Sequence, residues 1–199
     1  MLNFENIEEL MSNTNETGST AGCMFCDVEN TLILFETENL YLIRDKFPIT
    51  HGHLMVISKG HFRCMGELPT KFFTEIQTLR KQTEKIYQNR PYLAYEHGRA
   101  GHCVKLSDSL VTCHHFHFHF VPLSCDLHDE LKNSYSFIIV KQLVDVRRHY
   151  QKLGEYLYFE DSNRSARIYP ATHHVAPHLL RTMVCDRSNL SQRADWEHL

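Results

Sequence analysis

The sequence lacks features that are typical of membrane proteins, secreted proteins and nucleic-acid-binding proteins. No run approaches the ~20 apolar residues that a membrane-spanning helix needs, and the acidic, polar N-terminal stretch lacks the apolar segment of a signal peptide. No block of Lys or Arg accompanies the formal charge of −3, which disfavours a broad nucleic-acid-binding surface. We therefore expect no membrane association, and a cytoplasmic location is the default.

Closely spaced cysteines are also scarce. The seven cysteines are an odd number, and only Cys23 and Cys26 form a close pair. In a reducing compartment this pattern favours metal binding or free thiols over a disulfide framework. The sequence also contains no P-loop and no magnesium-binding motif.

What the sequence does contain is a run of alternating histidines, "TCHHFHFHFVPL", at residues 112–123. Successive side chains of a strand point to opposite faces, so His115, His117 and His119 share one face while the phenylalanines between them point toward a core. Three interpretations are open: a metal site on this strand alone, ordinary histidines on a solvated face, or catalysis by one ring assisted by its neighbours. Because four steps of a strand span about 13 Å, a single ion could be bound by two of these rings but hardly by all three.

The remaining patterns predict an α+β fold with an antiparallel sheet. Strand-like runs lie near residues 31–36, 39–45, 53–58 and 91–98. Apolar residues recur at helical spacing within residues 66–89, and a polar loop is expected at 99–110, before the histidine strand. Farther along, the sequence predicts a strand or turn running into a helix, a hairpin around Asn163 and a short helix in "VAPHLLRTMVC".

These motifs resemble the histidine triad (HIT) superfamily. "HFHFHFV" fits its signature of alternating histidine and hydrophobic residues, and "FETENLYLIRDKFPITHGHLMVISKGH" resembles the stretch in which an acidic residue follows a strand, before Gly-His and Lys-x-His. "CMFC" resembles the Cys-x-x-Cys that opens many bacterial members. The match covers about residues 23–123, and the tail more loosely resembles a bacterial subgroup with a C-terminal extension.

The sequence pattern and the resemblance together predict a domain organisation and a fold. Residues 1–21 would be a flexible N-terminal segment, residues 22–150 a HIT-like catalytic domain, and residues 151–199 an extension packed on or near that domain. The fold would be an antiparallel sheet of about five strands with a long helix packed on it. A symmetric homodimer through the long helix and an adjoining strand is also implied.

The resemblance further implies chemistry on a nucleotide-containing small molecule. His117, the central histidine, would attack the α-phosphorus of a nucleotide ester, anhydride or phosphoramidate, and the nucleotidyl-histidine would then be hydrolysed or passed to another acceptor. His119 and His115 would assist as flanking imidazoles. No organic cofactor is implied.

Four residues are candidates for binding the nucleotide. Asp45 stands where relatives hold the ribose hydroxyls, since an ionised carboxylate can accept two hydrogen bonds from a diol; an ordinary surface aspartate is the alternative. Thr112 aligns with a hydroxyl residue that contacts phosphate, although "SDSLV" replaces the usual Gly-Gln pair. His53 and Glu96 are expected near the pocket, and His53 could equally be a core histidine.

Zinc-containing relatives imply a structural Zn²⁺ bound by Cys23, Cys26, His61 and His115. The alternative is two reduced cysteines packed as small hydrophobes, with His61 at the end of a strand.

Two other functional classes also stay open. One is a nucleotide- or zinc-binding interaction module with vestigial catalysis, which the intact His117 disfavours. The other is a deadenylating enzyme acting on nucleic-acid ends, which the lack of a basic patch disfavours.

Overall fold

The computed structural model describes residues 23–101, 104–105 and 112–195. Within these ranges the chain forms ten strands and four α-helices: β1 (Ile33–Glu36), β2 (Leu40–Arg44), β3 (Leu54–Ser58), α1 (Phe72–Tyr87), β4 (Leu93–Glu96), β5 (Val104–Lys105), β6 (Thr112–Cys113), β7 (His117–Val121), α2 (His128–Ser134), β8 (Ile138–Ile139), α3 (Asp145–Leu153), β9 (Tyr156–Glu160), β10 (Ala166–Pro170) and α4 (Leu179–Arg187). The N-terminal segment predicted to be flexible, residues 1–21, lies outside the described residues.

Eight of the strands form one antiparallel sheet in the order β1-β2-β3-β7-β4-β9-β10-β8. The predicted α+β class is confirmed, but the expectation of about five strands was wrong, because β9, β10 and β8 continue the sheet beyond β4. The loop expected at residues 99–110 was also partly wrong, since β5 and β6 pair as a separate two-stranded sheet.

The histidine strand lies in the middle of the large sheet, with β3 on one side and β4 on the other. Its phenylalanines, Phe116, Phe118 and Phe120, are fully buried, and they pack in one core cluster with Phe73 and Ile76 of α1. Burying a phenylalanine side chain contributes about 1.5–3 kcal/mol. The alternation in the sequence therefore fixes which face of β7 is turned to the core and which face carries the imidazoles.

A second core cluster involves residues of α4 and of the strands β4, β9 and β10. Leu180 and Val184 of α4 belong to it together with Tyr95 of β4 and Phe159 of β9. Since Tyr95 also stacks on the ring of His119, this cluster reaches the histidine face of β7. The C-terminal part of the chain is therefore placed directly beside the triad.

A buried ion pair joins the C-terminal hairpin to the long helix. Arg80 of α1 donates to both carboxylate oxygens of Glu160 in β9, at 2.9 and 2.7 Å. Arg164, in the turn between β9 and β10, donates to the same carboxylate at 3.2 Å. This contact helps fix β9 against the rest of the sheet.

Both edges of β4 are paired within the chain, to β7 and to β9. Among the described residues, the edge strands of the sheet are therefore β1 and β8, and Ile139 of β8 is 65% exposed. The homodimer implied by the family resemblance stays a prediction. None of the helices in the described part of the chain has the length and apolar character that crossing a bilayer requires.

Candidate active site

His117, at the start of β7, is oriented by the backbone of a neighbouring residue. Its Nδ1 lies 2.6 Å from the carbonyl oxygen of His115. A carbonyl can only accept a hydrogen bond, so Nδ1 carries the proton, and in the neutral ring Nε2 holds a lone pair. Burial lowers the pKa of His117 below its ordinary value of 6.5, which keeps the ring neutral at pH 7. The structure thus presents His117 in the form that a nucleophile requires.

His119 is the second histidine of β7, and it is hydrogen-bonded to His53 at 2.9 Å between Nδ1 and Nε2. Nδ1 of His53 accepts a hydrogen bond from the backbone N–H of Ile49 at 3.2 Å, so the ring proton of neutral His53 is on Nε2, which donates to Nδ1 of His119. Burial lowers the pKa of His53 to about 4 and that of His119 well below 6.5, so both rings are neutral near pH 7. Tyr95 stacks on His119, with ring centroids 4.3 Å apart. The structure therefore brings two of the predicted site residues into direct contact.

Asp45 follows β2 and extends this line of polar groups. Its Oδ2 lies 3.1 Å from Nδ1 of His53, and its Oδ1 accepts a hydrogen bond from the backbone N–H of Phe47 at 2.7 Å. The Asp45 side chain is only 7% exposed. The carboxylate is thus turned toward the histidines, and its role in binding ribose hydroxyls stays a prediction.

Arg181 of α4 was not found by the sequence analysis. It is buried, it lies 3.9 Å from Oδ2 of Asp45, and it donates to the carbonyl oxygens of Phe47, Arg193 and Ala194. The signal that could have indicated it is a single arginine inside the apolar run "LLRTMVC", because a charge on the buried face of a helix needs partners.

Glu96, at the end of β4, is buried. One carboxylate oxygen accepts from the backbone N–H of Met65 and the other from the hydroxyl of Tyr156, both at 2.6 Å. Burial outweighs these two hydrogen bonds and raises the pKa of Glu96 to about 7. Thr112, the remaining nucleotide-binding candidate, lies in β6, but its side chain is outside the described residues.

This raised pKa predicts a specific pH dependence of stability. Because the folded pKa of Glu96 is above the unfolded value of 4.5, its contribution is most favourable below pH 4.5 and is lost as the pH rises toward 7. The Glu96→Gln variant keeps a neutral side chain, so between pH 5 and pH 8 its unfolding free energy should fall by about 2–3 kcal/mol less than that of the wild type. Urea unfolding at both pH values measures this difference, with the exposed Glu38→Gln as the control. An equal fall in the unfolding free energy of wild type and Glu96→Gln between pH 5 and pH 8 would contradict the prediction.

The structure also brings the four predicted metal ligands together. The sulfur atoms of Cys23 and Cys26 and the ring nitrogens of His61 and His115 lie within 4.8 Å of one another. Nδ1 of His115 is 3.5 Å from Sγ of Cys23 and 3.6 Å from Sγ of Cys26, and Nδ1 of His61 is 3.2 Å from Sγ of Cys26. Ligand atoms around a tetrahedral Zn²⁺ are about 3.3–3.8 Å apart, so the four residues fit that ion.

His115 is the residue that connects this cluster to the triad. Its Nε2 lies 2.9 Å from the carbonyl oxygen of Ser58, so Nε2 donates and Nδ1 is the nitrogen available to a metal ion. Its own carbonyl oxygen holds Nδ1 of His117. The side chain of His115 is thus available to a metal ion, while its backbone carbonyl orients the ring of His117.

The family model described as "Scavenger mRNA decapping enzyme C-term binding" matches residues 22–134, more than half of the chain. The chain belongs to this family, within the histidine triad superfamily. The HIT resemblance that the sequence analysis drew from the alternating histidines is confirmed.

Individual relatives of this HIT protein are distant. Adenosine 5'-monophosphoramidase HNT1 of Saccharomyces cerevisiae is 27% identical over 107 residues, covering 51% of this chain and 63% of that protein. The uncharacterized HIT-like protein MG132 of Mycoplasma genitalium is 30% identical over 117 residues, covering 54% of this chain and 77% of that protein. Among solved structures, the yeast Ap4A phosphorylase Apa2 in complex with AMP aligns with a TM-score of 0.47 at 14% identity, covering 75% of this chain and 64% of that chain.

Proposed function

We propose that this HIT protein is a nucleotide hydrolase or nucleotidyltransferase that works through a covalent nucleotidyl-histidine at His117. The observation that carries the proposal is the 2.6 Å hydrogen bond between Nδ1 of His117 and the carbonyl oxygen of His115. It fixes the tautomer in which Nε2 is the nucleophilic nitrogen. The activity in the name of the Saccharomyces relative, a monophosphoramidase, supports the same substrate class.

The reaction proceeds in two displacements at phosphorus. Nε2 of His117 forms a bond to the α-phosphorus as the bond to the leaving group breaks, and the electron pair departs with that group. Water or another acceptor then attacks the same phosphorus, the P–N bond breaks, and the electron pair returns to Nε2. The proton of the attacking group passes to a neighbouring base or to solvent.

His119 and His53 are the groups that can donate or accept a proton beside this phosphorus. The ring centroids of His117 and His119 are 5.0 Å apart, and His119 is linked through His53 to the carboxylate of Asp45. Because Nε2 of His53 donates to Nδ1 of His119, the ring proton of neutral His119 is on Nε2, where it can be donated to an oxygen of the substrate. We assign to His119 the stabilisation of charge on the phosphate oxygens or on the leaving group.

We further propose that Cys23, Cys26, His61 and His115 hold a structural zinc ion. All four coordination positions would be filled by the protein, so zinc would supply folding energy and no reactive water. The ion would fasten the segment around Cys23 and Cys26 to the catalytic strand. Its influence on catalysis would run through His115, whose carbonyl oxygen orients the nucleophile.

Covalent trapping tests the proposed function. Wild-type protein is mixed with nucleoside 5'-phosphoramidates or dinucleoside tetraphosphates of each base, quenched rapidly and analysed by intact-protein mass spectrometry. We expect a mass increase of one nucleotidyl group, located on His117 by peptide mapping. An adduct on another residue, or turnover with no adduct at any quench time, would refute the assignment of the nucleophile.

A further inference from the structure

Arg181 is a buried cation of α4 that the mechanism above does not use. Its side chain is only 6% exposed, and a buried charge needs partners. Nε donates to the carbonyl oxygens of Arg193 and Ala194, at 3.0 and 3.2 Å. Nη2 donates to those of Phe47 and Arg193, at 2.7 and 2.8 Å. Backbone oxygens of two distant segments therefore hold the guanidinium, and its Nη1 lies 3.9 Å from Oδ2 of Asp45.

The buried carboxylate of Asp45 has few groups that could balance its charge. Its Oδ2 faces Nδ1 of His53 at 3.1 Å and Nδ1 of His119 at 3.9 Å, and both rings are neutral near pH 7. Nδ1 of His53 accepts from the backbone N–H of Ile49, and Nδ1 of His119 accepts from Nε2 of His53, so neither nitrogen has a proton to donate to this carboxylate. Among the described residues, Arg181 is the only arginine or lysine that forms an ion pair with it.

The same guanidinium holds the backbone next to Asp45. The N–H of Phe47 donates to Oδ1 of Asp45 at 2.7 Å, and the carbonyl oxygen of Phe47 accepts from Nη2 of Arg181 at 2.7 Å. The donors of a guanidinium lie at fixed angles in one plane, so one side chain can hold this turn and face the carboxylate at the same time. Arg181 therefore acts on both the direction and the charge of Asp45.

The start of α4 is fixed beside the site by contacts that do not involve Asp45. The backbone N–H of Leu180 donates to Nε2 of His97, just after β4, at 3.2 Å. The side chain of Leu180 is fully buried in the core cluster that contains Tyr95 of β4. Because these contacts place the helix, Arg181 is held in position before any ligand binds.

We propose that Arg181 is a positioning residue for nucleotide recognition, which balances the charge of Asp45 and aims its carboxylate at the hydroxyls of the ribose. The inference rests on the proposed function, and it gives the C-terminal part of the chain a role in selecting ribonucleotides. Arg181 acts through Asp45 and does not contact the substrate. An ionised carboxylate accepts two hydrogen bonds from a diol, and such charge-assisted bonds are stronger than bonds between neutral groups. Without the guanidinium, Asp45 would be a buried charge with no compensating cation.

Discrimination between two nucleotides tests this role without turnover. The full-length protein is titrated by calorimetry with adenosine 5'-monophosphate (AMP) and with 2',3'-dideoxyadenosine 5'-monophosphate. We expect the wild type to bind AMP at least about 30-fold more tightly, since the dideoxy ligand lacks two charge-assisted hydrogen bonds. In Arg181→Gln this ratio should fall below about fivefold, whereas Arg181→Lys keeps the positive charge and should stay within about threefold of the wild-type ratio. Arg187→Gln is the matched control, because Arg187 is an exposed arginine of the same helix that pairs with Glu130.

Melting temperatures separate charge balance from a merely structural role. Arg181→Gln should melt about 10 °C below the wild type, because Asp45 is left as an uncompensated buried charge. The double variant Asp45→Asn/Arg181→Gln should melt at least about 5 °C above Arg181→Gln, since the carboxylate is then removed as well. Asp45→Asn alone completes the cycle and should not raise the melting temperature of the wild type. This rescue decides the question even when Arg181→Gln is too unstable for titration.

Several outcomes would overturn the inference. They are an unchanged nucleotide ratio in folded Arg181→Gln, a loss in Arg181→Lys as large as that in Arg181→Gln, and a double variant no more stable than Arg181→Gln. Equal binding of both nucleotides by the wild type would also overturn it, because Asp45 would then not bind the ribose. A wild type that binds neither nucleotide would refute the proposed function, and the melting temperatures would still decide whether Arg181 balances the charge of Asp45.

Discussion

His117→Asn is expected to lower turnover by at least about 10⁴-fold, the scale of loss seen when a covalent nucleophile is removed. The asparagine amide reaches as far as the Nδ1 position, so it can still donate to the carbonyl oxygen of His115. It has no atom at the position of Nε2 and cannot form the bond to phosphorus. Steady-state kinetics with the best substrate from the trapping experiment measures the loss.

Two comparisons make this result specific. His174→Asn, at an exposed histidine outside the site, should retain wild-type turnover. Nucleotide affinity of His117→Asn, measured by calorimetry with a nucleoside monophosphate, should change by less than about tenfold, because the variant removes an interaction made in the transition state. Substantial turnover by His117→Asn would show that another group attacks the phosphorus.

The second large effect concerns the proposed zinc ion. Purified protein should contain about one zinc per chain, as a single four-ligand site implies. Cys26→Ser removes the sulfur that approaches both His61 and His115, so it should lose the metal. Its unfolding free energy should fall by at least about 3 kcal/mol, less than the about 10–16 kcal/mol that zinc gives small zinc fingers, because the sheet here has a hydrophobic core of its own.

Elemental analysis and urea unfolding are the measurements for the zinc site. Cys125→Ser is the matched control, since this half-buried thiol is not one of the four predicted zinc ligands. A chelator should shift wild-type unfolding toward that of Cys26→Ser and leave Cys26→Ser unchanged. Metal-free wild-type protein with unaltered stability would exclude a structural zinc ion.

The sequence was sufficient for the parts of the fold that depend on local patterns. Alternation in β7 correctly predicted buried phenylalanines, and helical spacing predicted α1, which runs from Phe72 to Tyr87. The pairing of β9 with β4 could not be predicted in the same way, because an apolar strand can pair with any free edge. Distant contacts such as the ion pair of Arg80 with Glu160 contribute to that choice, and no local pattern reveals them.

The candidate site shows the same limit. The sequence motifs identified His53 and His119 individually, but the hydrogen bond between them joins residues 66 positions apart. Arg181 donates to the carbonyl oxygen of Phe47, which lies 134 positions away in the sequence. Its place beside Asp45 follows from the packing of α4, which the sequence alone does not reveal. Residues that carry chemistry could be found by their type and spacing, whereas residues that orient or cover them required the folded chain.

The pairing of β9 with β4 has a practical consequence for dissecting the protein. The family match ends at residue 134, yet a polypeptide shortened to that point would lose β9, one of the two strands that pair with β4. The bare amide and carbonyl groups of that strand would then be open to other molecules, and such edges promote self-association. Fragments intended for laboratory work should therefore extend at least to Ala194, whose carbonyl oxygen helps hold Arg181.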